Sequence, residues 1–137
     1  MSFPEFMSPL IGRLALAWYF LSEAISYASN WDATVSLMAL KHIPAPPALL
    51  ALALLVMFLG GISLALGYHA RYGAIILFGF VVTATVLMHD FWTISKAADQ
   101  AADYEDFAAN VAIAGGLLVI VGVGPGGLAI DNTGKKR

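Results

Sequence analysis

The segment "PALLALALLVMFLGGISLALGYHARYGAIILFGFVVTATVLM", residues 47–88, decides the fold. Residues 47–67 carry no charge, and residues 70–88 carry only Arg71. A helix needs about 20 largely apolar residues to cross the hydrocarbon of a bilayer, and each half supplies that run. Transmembrane strands would alternate polar and apolar residues, and these runs do not. A helix also satisfies its own backbone polar groups, as lipid demands. The connection "GYHAR" is so short that the two helices must be antiparallel neighbours.

Two further runs flank this hairpin, at residues 9–28 and 107–123. The expected architecture is therefore all-α: an integral membrane four-helix bundle in a single domain, residues 1–137. Between the first two spans, residues 31–41 place Trp31, Val35 and Met38 at helical spacing, with Asp32 and Ser36 opposite. That pattern reads as a short interfacial helix. "HIPAPPA" breaks the chain before span two, and the acidic stretch "KAADQAADYEDF" reads as helix where it feeds span four.

Composition agrees. The chain is 60% hydrophobic and 12% charged, with a mean hydropathy of +0.80. A soluble domain has about 25% charged residues, so this one cannot cover itself with polar surface in water. A net charge of -2, with no basic patch outside the terminal "KKR", points away from nucleic acid. The lack of cysteine excludes disulfides, thiolate metal sites, thiol redox chemistry and cysteine-held iron–sulfur clusters. Any redox role must borrow its cofactor, so no intrinsic cofactor is expected; a quinone or a bound lipid is the candidate.

Orientation follows the distribution of Lys and Arg. Arg13, Arg71, Lys135, Lys136 and Arg137 fall on one side, and Lys41 and Lys96 on the other. Both termini are thus expected in the cytoplasm. Ser26-Tyr27-Ala28 resembles a signal-cleavage site, but the first twelve residues lack positive charge and Glu23 interrupts the apolar run, so span one is expected to remain.

Small residues mark helix-packing faces at Gly60, Gly61 and Ala65, at Gly79 and Thr83, and at Ala112 and Gly116. Such faces also permit self-association. "GVGPGG" at residues 122–127 has the form G-x-G-x-x-G but follows a helix and contains Pro125, so it reads as the stop and turn after span four rather than a dinucleotide loop.

Ionisable groups within spans are costly and each is a candidate site. Arg13 lies close enough to the inner end to reach lipid phosphates. Glu23 lies about five residues from the outer end of span one, about 7–9 Å deep at about 1.5 Å per residue. Tyr19 and Tyr27 flank it one turn either side. On the bland reading its carboxyl bonds to a Tyr hydroxyl or a backbone carbonyl; on the other it serves a proton or a ligand. His89 ends span three, with Thr85 and Trp92 on its face if the helix continues, and Asn110 lies one turn into span four. Alternation of the spans puts Glu23, Tyr27, His89 and Asn110 in one leaflet, where they could bind a quinone or lipid headgroup. The plainer reading of Asp90 and Trp92 is an interfacial belt. No metal site is expected, since no spaced ligand set appears. A haem is disfavoured, because His42, His69 and His89 do not face one another within the bundle.

With these features in order, the chain resembles the DoxX family of small bacterial membrane proteins. The likeness rests on "IGRLALAWYFLSEAI", "LGGISLALGYHAR", "MHDFW" and "NVAIAGGLLVIVGVGPGGLAID", and spans Leu10 to Asp131. It implies a four-helix bundle of the bacterial inner membrane. Some members are tied to quinone-linked oxidoreductases or oxidative-stress complexes. His89, Trp92, Asn110 and Asp131 match the family pattern. Tyr27, Met57 and Ala109 stand where members often carry charged groups, and Glu23 is additional. The resemblance thus implies an accessory subunit of a larger membrane redox complex, without activity alone, with other membrane subunits and the bilayer as its partners. The alternative is a quinone-reactive oxidoreductase subunit in its own right.

Overall fold

The computed structural model describes residues 2–134. Five helices follow one another: α1 (Phe3–Ser29), α2 (Trp31–Leu40), α3 (Pro46–Leu66), α4 (Ala70–Met88) and α5 (Ala97–Val123), with short 3-10 turns at Phe91–Thr93 and Ile130–Asn132. No strand occurs among the described residues. The chain is an all-α membrane protein, as its hydropathy requires. The expected bounds of α4 hold. α3 begins at Pro46, where two prolines occupy first-turn positions that need no N–H partner. α1 begins six residues before the expected Pro9, because Ser2 and Glu5 form a capping box ahead of it.

Packing follows the small residues. Ala17, Phe20 and Ala24 of α1 meet Met57 and Leu64 of α3, Ala74, Leu77 and Val81 of α4, and Leu117 and Ile120 of α5 in one core. A β-carbon on Gly60 would lie 2.6 Å from Leu77, and one on Gly61 would lie 2.9 Å from Leu21, so these glycines do permit close helix approach. Gly79 behaves otherwise: nothing lies within 4 Å of a β-carbon placed there. The expectation that Gly79 and Thr83 form a packing face is therefore corrected. α2 turns Met38 inward, with Trp31 and Val35 half-buried beside Ile43 and Leu50, while Asp32 and Ser36 stay exposed, the amphipathic arrangement expected.

Outside this core the bundle is oily. Only 28%, 22% and 17% of the most apolar windows of the second, third and fourth spans are buried within the chain. Leu52, Leu55, Leu59, Ile76, Val86 and Val119 all point outward. Three helices among the described residues are long and apolar enough to cross a membrane. α1, expected as a fourth apolar span, is 27 residues long but does not reach that standard of composition. The reason is physical: Arg13, Glu23 and its tyrosines dilute it, and their polar atoms turn toward the other helices rather than outward.

Arg13 shows how. It was expected to reach out to phosphates, yet it is 2% exposed. One guanidinium nitrogen donates to the carbonyl of Pro125 at 2.6 Å and another to that of Leu128 at 2.8 Å. These carbonyls belong to the segment after α5, which Gly124 and Gly126 fold back with positive φ. The turn expected of "GVGPGG" is present, and its carbonyls become ligands for Arg13. The same segment carries Asp131, whose carboxylate accepts from the backbone N–H groups of His69 and Ala70 at 2.7 and 2.9 Å and so caps α4 from a distance. The Asp131 N–H donates to the Gly67 carbonyl at 2.9 Å. Gly67 has φ +65°, and a β-carbon there would sit 2.5 Å from that of Ala129, so only glycine fits. The start of α1, the hairpin and the end of α5 are thus tied at one end of the bundle, with Pro9 against Gly126. Lys135, Lys136 and Arg137, which enter the charge count, lie outside the described residues.

Replacing Arg13 by Met should leave the Pro125 and Leu128 carbonyls without their charged donor and cost about 3 kcal/mol. Asp131→Ala should cost about 1 kcal/mol as a lost helix cap. Thermal unfolding of the two variants in mild detergent, followed by circular dichroism, checks both and their order.

Candidate functional site

At the end of the bundle opposite Arg13, the helices diverge around a cavity of about 690 Å³. α1 contributes Tyr19, Phe20, Glu23 and Tyr27; α2 lies across its end with Thr34, Leu37 and Met38. α3 and α4 supply apolar walls, and His89, Asp103 and Asn110 complete a polar end. All four residues singled out in the sequence, Glu23, Tyr27, His89 and Asn110, line this one space.

Each polar group has a reason for its position. Tyr19, Glu23 and Tyr27 follow one another at a spacing of one helical turn, so one face of α1 carries them all. The Tyr19 hydroxyl donates to Oδ1 of Asn110 at 3.1 Å, which links α1 to α5. Tyr27 and Glu23 both face the cavity from this stripe. α4 stops at Met88, and His89 closes it with a backbone N–H to the Thr85 carbonyl at 3.0 Å. The helix does not continue to Trp92, so the shared face proposed for His89 and Trp92 does not form. Freed from the helix, the His89 ring approaches α5, and its Nδ1 lies 2.9 Å from Oδ1 of Asp103.

Trp92 instead packs edge to face against Phe91 and Phe107, Phe91 also meets Tyr104 edge to face, and Trp92 remains 54% exposed. Asp90 forms an ion pair with Lys41 and accepts a hydrogen bond from the Thr93 hydroxyl.

Sequence reasoning missed Asp103, Lys41 and the pairing role of Tyr19. Asp103 was findable, since it lies seven residues before Asn110 and therefore on the same face of α5. Lys41 was not, because its partner Asp90 is 49 residues away and only the fold brings the two connectors together. His89, Asp103 and Asp106 each bring a donor atom within 4.8 Å of the others. Two of the three already bond to each other, and Asp106 is exposed.

The two basic side chains of the site each have a carboxylate partner. Lys41 is held by Asp90, and His89 by Asp103. The rest of the polar end consists of the Glu23 carboxyl, phenols and an amide. Such a surface can hydrogen-bond a polar, uncharged group while the walls contact hydrocarbon.

These features define an α-helical membrane protein with an apolar-walled cavity at one end of the bundle. The DoxX family matches residues 8–90, more than half of the chain, and the chain belongs to that family. Among curated relatives, inner membrane protein YphA of Escherichia coli (strain K12) is 27% identical over 122 residues, covering 89% of this chain and 86% of that protein. A surfeit locus protein 4 homologue of Drosophila melanogaster is 27% identical over 135 residues, 97% of this chain but 43% of that protein. The homologue from Schizosaccharomyces pombe (strain 972 / ATCC 24843) is 30% identical over 71 residues, 51% of this chain and 24% of its own length. The chain thus spans most of YphA and less than half of the surfeit locus proteins. No solved structure matches it.

The geometry separates two kinds of charge pair. Asp103→Ala should leave the His89 ring without its partner and cost about 1–3 kcal/mol. Lys96→Ala breaks a pair whose members are 75% and 63% exposed, and should change stability by less than about 0.5 kcal/mol. Parallel thermal melts in one detergent test the contrast.

Proposed function

We propose that this protein is an inner-membrane accessory subunit of a larger redox assembly, and that its contribution is a headgroup site for a quinone or a lipid of similar chemistry. The observation that carries this reading is the cavity itself. Glu23, Tyr27, His89 and Asn110, from three separate stretches of the chain, converge on one apolar-walled space of a size suited to small-molecule binding. A quinone offers two carbonyl acceptors and its quinol two hydroxyl donors. Asn110 can donate or accept, the Tyr27 hydroxyl and the His89 ring can do either according to rotor and tautomer, and the Glu23 carboxyl accepts. The chain holds no cysteine, so electrons would come from partner subunits. The name of YphA supports the choice of membrane. The bias of Lys and Arg supports cytoplasmic termini.

The test is purification in mild detergent with mass spectrometry of bound proteins and lipids, together with binding of a decyl-tailed quinone analogue. The assembly should co-purify in fixed proportion. Glu23→Gln and His89→Ala should each weaken the analogue by about tenfold, which corresponds to about 1.4 kcal/mol. Equal binding in wild type and both variants would remove the site. Reporter fusions at the two ends should both report the cytoplasm.

If the subunit has catalytic work of its own, as a quinone-reactive subunit would, His89→Ala will also lower turnover of the assembled complex. As an accessory subunit it will leave turnover unchanged when the quinone is saturating.

A further inference from the structure

The cavity is not sealed on the side facing lipid. Leu49 and Leu52 of α3 and Ile76 and Leu87 of α4 line it and remain exposed, at 38%, 54%, 57% and 47%. The space therefore opens sideways, between α3 and α4. Gly79 stands at that opening. On the facing helix, Gly60 and Gly61 are pressed against Leu77 and Leu21, but a β-carbon at Gly79, a residue that lines the cavity, would meet nothing within 4 Å. Thr83 beside it donates its hydroxyl hydrogen to the Gly79 carbonyl at 2.8 Å, so the hydroxyl is left there as an acceptor and not as a donor. An apolar gap next to a polar pocket suits an amphiphile arriving from the membrane with its tail still in lipid.

The polar end narrows the headgroup. Its two basic side chains, Lys41 and His89, are each matched by a carboxylate, and the carboxyl groups of Glu23 and Asp103 face the same space. Oδ2 of Asp103 is buried and has no hydrogen-bond partner. A phosphate placed there would meet carboxylates, with no unpaired cation among the described residues that line the cavity. Like charges in a poorly hydrated site repel strongly.

We infer that the occupant is a lipid-phase amphiphile with an uncharged headgroup and a hydrocarbon tail, and that it reaches the cavity laterally between α3 and α4 through an opening that Gly79 keeps wide. This rests on the headgroup site proposed above and adds the path, the tail and the exclusion of anionic lipids.

The test compares three probes on the full chain in nanodiscs: a decyl-tailed quinone, the same ring without its tail, and decyl phosphate. Gly79→Phe should weaken the tailed quinone by about tenfold or more and leave the tailless ring unchanged. Decyl phosphate should bind wild type at least about tenfold more weakly than the tailed quinone. Because the chain has no cysteine, Gly79→Cys supplies a second reading that does not depend on a bulky side chain being tolerated. The tailed quinone should slow maleimide labelling of that thiol, and decyl phosphate should not.

Unchanged affinity in Gly79→Phe, equal loss of both quinones with an unaltered melting temperature, or labelling indifferent to the tailed quinone would overturn the lateral path. Decyl phosphate binding as tightly as the quinone would overturn the uncharged headgroup. If wild type binds neither quinone, the headgroup site itself falls, an outcome distinct from normal binding with no effect at Gly79.

Discussion

The structure depends on one constraint: polar groups placed inside a hydrocarbon layer have to find partners within the protein. The outward faces of α3, α4 and α5 are apolar, so lipid contributes nothing to a guanidinium or a carboxyl. Arg13 meets this constraint by drawing the segment after α5 over itself. Its position, which looked like a reason to lean toward the surface, instead organises that whole end of the bundle. Asp131 continues the arrangement by capping α4 and bonding back to Gly67, so three chain segments share one set of hydrogen bonds.

The opposite end meets the same constraint differently. There the helices diverge, and α2 covers the gap without filling it. Tyr19 with Asn110 and His89 with Asp103 join α5 to the elements it faces. Glu23 is left facing the space between them. The bundle is thus closed by hydrogen bonds at one end and held open by them at the other. A ligand site belongs at the open end, where polar groups converge without a packed core between them.

Legibility in the sequence followed the range of the interaction involved. Helix positions depend on local hydrophobicity and on capping residues, so α4 fell where its composition placed it, and the glycine pair of α3 could be read as a packing face. The four site residues could be assembled because alternating helices bring every second connection to the same side. Arg13 and Gly79 could not be read in that way. A buried arginine and a snorkelling one have the same sequence neighbours, and a glycine against a leucine looks the same as a glycine against empty space. What differs is the partner, which comes from a distant segment.

By itself, then, the sequence determined that the chain is helical, that it lives in a bilayer, which runs form its helices and which side chains could share a leaflet. Those properties follow from apolar runs and their spacing, summed over neighbours in the chain. Only the tertiary structure decided that Arg13 is buried, that Asp103 and Lys41 belong to the polar end, and that the space beside Gly79 is open. These depend on which surfaces meet, and surfaces meet through hydrogen bonds and packing between segments as much as 115 residues apart.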